Sequence, residues 1–552
     1  EPRIDVSTKE RKGGSGIVCL PAHPTMGDKA ILTEVLEASH LTDTYGDLTA
    51  KGIIKELRNV HSEEPSVRYS NLEDGRGPMD TSSTVTTPGG TERRKTYTVD
   101  DAVETLGFGR FQLKLSVLAG LAWMADAMEM MLLSLLTPAL ICEWGITSFE
   151  QALVTTCVFC GMMLSSTFWG RICDRIGRKW GLMFSALMAC VCGVFSGLAG
   201  SFYFFLFVRG LVGFGIGGVP QSITLYSEFL PTAQRAKCVV LIESFWAIGA
   251  VLEALLAFFV MNTWGWRSLV ILSSLPLGIF AMCSWWLPES ARFHMSKGED
   301  GKALETLMKV AKENGKQLPP GDLVASEAER AHAAKGGTTI FSLLSPDLRT
   351  TTLLVWLIWM VNAFSYYGMV LYTTVLFRSH DECHGGLFSN ATSSETCVPL
   401  TRGDYFDLLM SSLAEFPGLI ITALIIEWIG RKKTMGVEFA VFGVATYLLY
   451  FCLSRNTVIG LIFIGRAFIS GAFQCAYVYT PEVYPTTLRA SGLGAASGMA
   501  RIGAIITPFV AQVAATSNLS YPVGIYGTAA LIGLISALSL PIETKGRQMQ
   551  EH

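Results

Sequence analysis

From Phe111 to Pro541 the chain is dominated by apolar runs of about 20 residues, the length that crosses the hydrocarbon core of a bilayer, and they come in two sets of six. The pattern predicts spans near 113–140, 149–170, 180–199, 202–225, 238–260 and 266–287, then 351–377, 405–427, 434–453, 457–479, 490–513 and 521–541. A backbone in lipid must satisfy its own hydrogen bonds, so runs of this length fold as helices. The expected fold is an all-α membrane protein with twelve transmembrane helices in two six-helix halves. Composition agrees, because 50% of the 552 residues are hydrophobic and only 16% are charged. That is more apolar side chain than one soluble core encloses.

The segments between the runs set the domain organisation. Residues 1–97 are rich in Ser, Thr, Gly and charge, as in TSSTVTTPGGTERRK, and are expected to form a mostly disordered tail. No cleavable signal peptide is visible. A short amphipathic helix (Val99, Val103, Leu106) is expected before the first span. The first half then occupies 98–287, a polar linker 288–350, the second half 351–541 and a short tail 542–552. Within the linker, Leu304, Leu307, Met308 and Ala311 recur at helical spacing before Pro319 and Pro320 end the pattern.

Positive charge follows the loops unevenly. Arg171, Arg175, Arg178 and Lys179 follow the second span, Arg431, Lys432 and Lys433 follow the eighth, and nine Lys or Arg lie in the linker. The loops after the first, third and eleventh spans carry none. The positive-inside rule then places both termini and the linker in the cytoplasm. The loop after the seventh span, about 378–403, falls on the opposite side. It holds the acceptor sequon Asn390-Ala391-Thr392 between Cys383 and Cys397, so glycosylation at Asn390 and a Cys383–Cys397 disulfide are expected there.

Several function classes are disfavoured. A net charge of −3 with dispersed basic residues offers no nucleic-acid face. Cys157 and Cys160 form a CxxC without a second pair or histidine at zinc spacing, and nine of the thirteen cysteines lie in or at the ends of apolar runs, where they pack as small apolar side chains. The GFGIGG stretch at Gly213–Gly218 approaches a dinucleotide loop, but it lies within an apolar run with no strand before it, so helix packing is the better reading. No nucleophile–base pair or nucleotide loop is present, and neither an enzyme, a cofactor, a metal site nor a primary pump is expected.

Two phrases recur. Asp174-Arg175-Ile176-Gly177-Arg178-Lys179 returns as Glu427-Trp428-Ile429-Gly430-Arg431-Lys432, and Glu228, Pro231 and Arg235 return as Glu482, Pro485 and Arg489. Each phrase follows the corresponding span of a six-span set, so the chain is a tandem duplication. An even number of crossings keeps the copies parallel, related by an axis along the membrane normal.

These residues, with GRICDRIGRK, RGLVGFGIGG, PESARF and PIETKGR, resemble the signature set of the major facilitator superfamily in its sugar-porter and organic-ion branches, over about residues 98–548. With VDDAVETLGFGRFQ, NAFSYYG, AEFPG and AYVYTPEVYPTTLRA they are similar to the synaptic vesicle glycoprotein 2 group within it. The resemblance implies a transporter that rocks two halves about a central site in a synaptic or other secretory vesicle membrane. It further implies a cytoplasmic charge network of Asp174, Arg175, Arg178, Glu228, Arg235, Glu289 and Arg292, with Glu427, Arg431, Glu482, Arg489 and Glu543 as the set on the second half, holding the inner gate shut. Charges that only anchor loops are the alternative.

Ionisable residues inside spans mark a pathway or a paired structural site. Asp126 and Glu129 lie three residues apart on one helical face, where two ionised carboxylates would repel. Glu243 and Glu253 fall in the fifth span, Glu415 in the eighth, Arg209 in the fourth, Arg466 in the tenth and Arg501 in the eleventh. No histidine falls in a span, so carboxylates would carry any coupled proton. By resemblance to the organic-ion branch, Arg501 points to an anionic or zwitterionic solute; alternatively it pairs with Asp126 or Glu129 across the halves. Trp356, Trp359, Phe364, Tyr366 and Tyr367 are candidates to line a cavity. The expected function is a secondary transporter of a small organic solute, ion-coupled by protons or another ion. The competing expectation is a vesicle-resident binding or regulatory protein that uses its tail for protein partners.

Overall fold

The computed structural model describes residues 95–325, 340–378, 399–451 and 453–545. The first half holds α1 (Val99–Leu106), α2 (Arg110–Trp144), α3 (Ser148–Ile176), α4 (Arg178–Gly197), α5 (Phe202–Ile216), α6 (Gln221–Glu228), α7 (Thr232–Val260) and α8 (Gly265–Cys283). The linker supplies α9 (Ala291–Ser296) and α10 (Asp300–Asn314). The second half holds α11 (Arg349–Arg378), α12 (Arg402–Leu413), α13 (Glu415–Ile429), α14 (Arg431–Leu448), α15 (Arg455–Val483), α16 (Thr486–Pro508) and α17 (Ser520–Ser539).

Among the described residues eleven segments are long and apolar enough to cross a membrane. The expected twelfth is α14, which packs between α15 and α17 but carries Arg431, Lys432, Lys433 and Glu438 within 18 residues. Its charges, not its place in the bundle, separate it from the others.

Two spans are broken, and each break has the same cause. α5 ends at Ile216, four residues before Pro220, and α12 ends at Leu413, four residues before Pro417. A proline has no N–H to return to the carbonyl four positions earlier, so the ladder stops there and a new helix starts. Helix starts are fixed locally as well: Thr98 with Asp101, Thr147 with Glu150 and Thr401 with Asp404 form reciprocal capping boxes.

Close packing inside each half depends on glycine. A Cβ on Gly161 would lie 2.3 Å from the Gly210 carbonyl oxygen, and one on Gly213 would lie 2.1 Å from that of Val158, so α3 and α5 touch backbone to backbone. In the second half, Gly418 does the same for α13 against α15, at 2.2 Å from the Ala467 oxygen. The GFGIGG stretch is thus a packing surface.

Beside the bundle, Thr96–Tyr97 pairs in parallel with Asp322–Leu323. Tyr97, Val99, Ala102 and Val103 share a small core with Ala291, Met295, Ala303 and Leu307. The last residues assigned to the tail therefore dock on the linker, because Val99, Ala102 and Val103 of α1 bury their apolar face against α9 and α10. The rest of that tail lies outside the described residues, as do Cys383, Asn390 and Cys397. Cys142, at the end of α2, is disulfide-bonded.

The halves meet through reciprocal helix pairs. α3 packs on α16 while α7 packs on α12 and α13, and α2 packs on α11. Under the duplication α3 corresponds to α12 with α13, and α7 to α16, so the two larger contacts exchange with each other. That is the signature of two parallel repeats about one axis.

Candidate functional site

A central cavity lies where the halves meet, with about 670 Å³ of atom-free space including its mouth. Its wall comes from both halves: Trp123, Glu243 and Trp246 from the first, and Trp359, Tyr366, Tyr367, Glu415, Phe473, Gln474, Tyr477 and Arg501 from the second. Mainly aromatic walls with a few convergent polar groups are the usual lining of a site for one small organic molecule.

Polar contacts across this wall form two chains. In one, Trp246 Nε1 donates to Tyr366 Oη at 2.8 Å, and Tyr366 Oη donates to Glu415 Oε1 at 2.8 Å. Arg466 binds the same oxygen at 2.8 Å and donates to Ser411 and Ser412 at 3.3 Å each. Glu415 starts α13 at the Pro417 break, which aims its carboxylate into the space between α11 and α15. In the other chain, Trp123 Nε1 donates to Glu243 Oε2 at 3.2 Å, and the Glu243 Oε1 atom is buried without a hydrogen-bond partner.

Asp126 and Glu129 take separate partners although they share a helix face. Glu129 is buried in the first half and ion-paired to Arg209, which also feels Glu253; Ser273 Oγ donates to Glu253 at 2.7 Å. Asp126 is wholly buried, neither of its oxygens has a hydrogen-bond partner, and Arg501 of the opposite half is the cation that acts on it. Arg501 also lies beside Tyr367 and donates to Met162 Sδ at 3.5 Å. Of the two alternatives for Arg501, the one between halves thus has a named partner, Asp126, while Glu129 is taken by Arg209.

The charges at the termini-bearing end form two matching sets. Arg178 binds Glu228 at 2.9 Å, Ser290 Oγ donates to Glu228, and Glu289 accepts from the backbone N–H groups of Arg178 at 2.9 Å and Lys179 at 3.3 Å. Arg431 binds Glu482 through Nε at 3.0 Å and through a second nitrogen at 3.1 Å, and it reaches Glu427 at 3.1 Å. Thr544 Oγ1 donates to Glu482 at 2.6 Å, and Glu543 accepts from the N–H groups of Arg431 at 2.9 Å and Lys432 at 3.1 Å. Glycines at φ 107° (Gly177) and 90° (Gly430) turn each chain into its helix.

Among the described residues the contacts of these sets stay inside their own halves. Glu289 and Glu543 are held against the first turn of α4 and α14 by backbone N–H groups and the helix dipole. Arg292 turns outward to Asp100 on α1, Asp174 and Arg175 are exposed, and the Nε of Arg489 is buried without a partner. The side chain of Arg235 lies outside the described residues.

Contact between halves is concentrated at the far end. Gln512 donates to Thr137 at 3.3 Å, Thr156 donates to the Ile505 carbonyl at 3.3 Å, and Phe149 meets Phe509 at 5.7 Å between centroids. Phe258 meets Phe406 at 6.4 Å, with the Arg402 guanidinium 4.8 Å from the Phe258 centroid. Gln512 lies in a π-helical turn, Phe509–Ala514, that continues α16 beyond Pro508.

Of this wall, Glu243, Glu415, Arg501, Trp359, Tyr366 and Tyr367 stand out in the sequence, as does Arg466 behind it. Sequence reasoning missed Trp123, Trp246, Phe473 and Tyr477, and the uncharged pair Thr137 and Gln512. Trp246 stands one turn from Glu243, a spacing that could have revealed it; Thr137 and Gln512 carry no local signal.

A bundle of membrane helices duplicated about one axis, enclosing between its halves an aromatic-walled chamber with a few charged groups, defines a multi-pass secondary transporter of a small solute. The chain belongs to the major facilitator superfamily: residues 90–381 match the Sugar (and other) transporter family and residues 408–550 the Major Facilitator Superfamily model. It is 70% identical over 526 residues to the protein named "Putative transporter svop-1" of Caenorhabditis elegans, covering 95% of this chain and 100% of that one. It is 53% identical to the synaptic vesicle 2-related protein of Rattus norvegicus over 83% of each. The fold matches that of the proton:xylose symporter XylE with a TM-score of 0.60 at 17% identity, over 80% of this chain and 98% of that one. With a relative named as a transporter and a family of transporters around it, the chain is a transporter rather than an enzyme.

Proposed function

We propose that the protein carries a small organic solute across a vesicle membrane by alternating access, with the cavity facing first one side and then the other. The observation that carries this reading is the uneven seam between the halves. At the end away from both termini, Thr137–Gln512, Thr156–Ile505 and Phe149–Phe509 join them, and the cavity wall is shared between them nearer the other end. The loop charges support cytoplasmic termini, so the closed mouth is the luminal one. A relative named for synaptic vesicles supports a vesicle location.

The two charge sets then act as clamps that keep each cytoplasmic end rigid, so that each half moves as one body. The charged groups of the wall and those just behind it, Asp126, Glu243, Glu415, Arg466 and Arg501, with Glu129 behind them, form the pathway. Arg501 supports an anionic or zwitterionic solute, and Asp126 beside it favours the zwitterion over the simple anion. The tail of residues 1–97 is assigned to protein partners, Asn390 to glycosylation and Cys383 with Cys397 to a disulfide.

Reconstitution in liposomes tests the reading. Counterflow of at least one organic solute, lost on Arg501→Ala, is the expected result. Wild-type liposomes indistinguishable from empty ones across anions, cations, zwitterions and sugars would count decisively against it. Pull-down with residues 1–97 tests the tail.

A further inference from the structure

The following rests on the transporter reading and names the chemistry of its solute. Glu243 lines the cavity from α7, with one oxygen held by Trp123 and the other unpartnered. Around it the aromatic rings are continuous: Trp123 and Trp246 lie 5.6 Å apart between centroids, and Trp246 and Tyr366 lie 6.3 Å apart. Rings packed about a carboxylate are the usual surroundings of an ammonium group, whose charge is attracted by both.

The charges facing Glu243 can be taken element by element. From α2 comes Asp126, from α16 Arg501, from α13 Glu415, and from α11 and α15 the neutral phenols of Tyr366, Tyr367 and Tyr477. Glu415 is matched by Arg466. That leaves two acids, Asp126 and Glu243, against one base, Arg501, which acts on Asp126. One negative charge is in excess, at Glu243, in a chamber walled by rings and surrounded by lipid. A charge so placed is balanced by a proton or by a cation, and either one removes the reason for the other.

We propose that Glu243 binds the ammonium group of an organic solute within the wall of Trp123, Trp246 and Tyr366, and that solute and proton occupy it alternately, so that transport exchanges one for the other. When the ammonium group enters, the Glu243 O–H bond breaks and its proton passes to cavity water. When the solute leaves on the other side, water there returns a proton and the O–H bond re-forms. One proton moves against one solute, the ammonium charge of the solute taking the proton's place at Glu243.

The test uses the purified full-length chain in detergent, with choline as probe and its uncharged isostere 3,3-dimethylbutan-1-ol as control. Tryptophan fluorescence reports binding, since Trp123, Trp246 and Trp359 line the cavity. A pH dye in weak buffer reports protons. Choline is expected to release about one proton per molecule bound and to weaken by up to about tenfold for each unit the pH falls. The alcohol is expected to bind at least about tenfold more weakly. Glu243→Gln should abolish the proton release and the pH dependence together, and Glu243→Asp should keep both with weaker binding, which a merely structural role would not do. Equal binding of the alcohol, choline binding without proton release, or proton release that survives Glu243→Gln overturns the proposal. Counterflow of butyrate or xylose but not choline would overturn the ammonium site and leave transport standing; no counterflow of any solute would overturn both.

Discussion

Glu289 and Glu543, one in each copy of the duplicated unit, are equivalent in what they hold, since each accepts hydrogen bonds from the first two backbone N–H groups of a helix, α4 or α14, just after a left-handed glycine. The arginine that begins each helix then binds the acid of the second repeated phrase, Glu228 or Glu482. The repeated phrases are thus two ends of one clamp, made twice.

The clamps are not equal, and their difference is measurable. Arg431 contacts Glu482 twice and Glu427 once, while Arg178 makes a single pair with Glu228. Arg431→Ala should cost about 2–3 kcal/mol and Arg178→Ala about 1 kcal/mol. Thermal unfolding in detergent checks the order; equal losses would refute it.

Arg209 is the only described arginine serving two buried acids, Glu129 and Glu253. Arg209→Met strands a buried charge and should destabilise by about 3–5 kcal/mol. Arg209→Met with Glu129→Leu should recover a large part of that loss. A double variant as unstable as the single one would show that packing, not charge, dominates here.

At the far end Gln512 is bonded to Thr137 across the halves. Thr137→Cys with Gln512→Cys should cross-link under oxidation and stop counterflow, and reductant should restore it. Transport that continues in the cross-linked protein would mean that this end stays closed throughout the cycle.

Glycine contacts inside the first half should be intolerant of even one methyl group. Gly213→Ala places a carbon on the Val158 backbone and should cost about 1–3 kcal/mol. Gly498→Ala, in α16, meets nothing within 4 Å and should be nearly silent. Expression and unfolding temperature distinguish the two; similar losses would argue against backbone contact as the cause.

Much of the fold was legible because a membrane leaves few choices: apolar length fixes helices, and the matched phrases fix duplication and direction. The site was legible only in its charges. Glu243, Glu415 and Arg501 stand out in apolar runs, whereas Trp123, Trp246 and Tyr477 look like any other aromatic in a span. Thr137 and Gln512 are separated by most of the chain, so nothing near either one reveals the other.

The amino-acid order alone settled the crossings, the repeat and the identity of the buried ionisable groups, since each of these follows from local patterning against a bilayer. Partnership was settled only by the folded chain. Asp126 and Glu129 lie one turn apart on α2, yet the first faces Arg501 across the seam and the second is held by Arg209 within its own half. Neighbouring helices, not neighbouring residues, supply the charges that compensate an acid in lipid, and the positions of those helices exist only after packing.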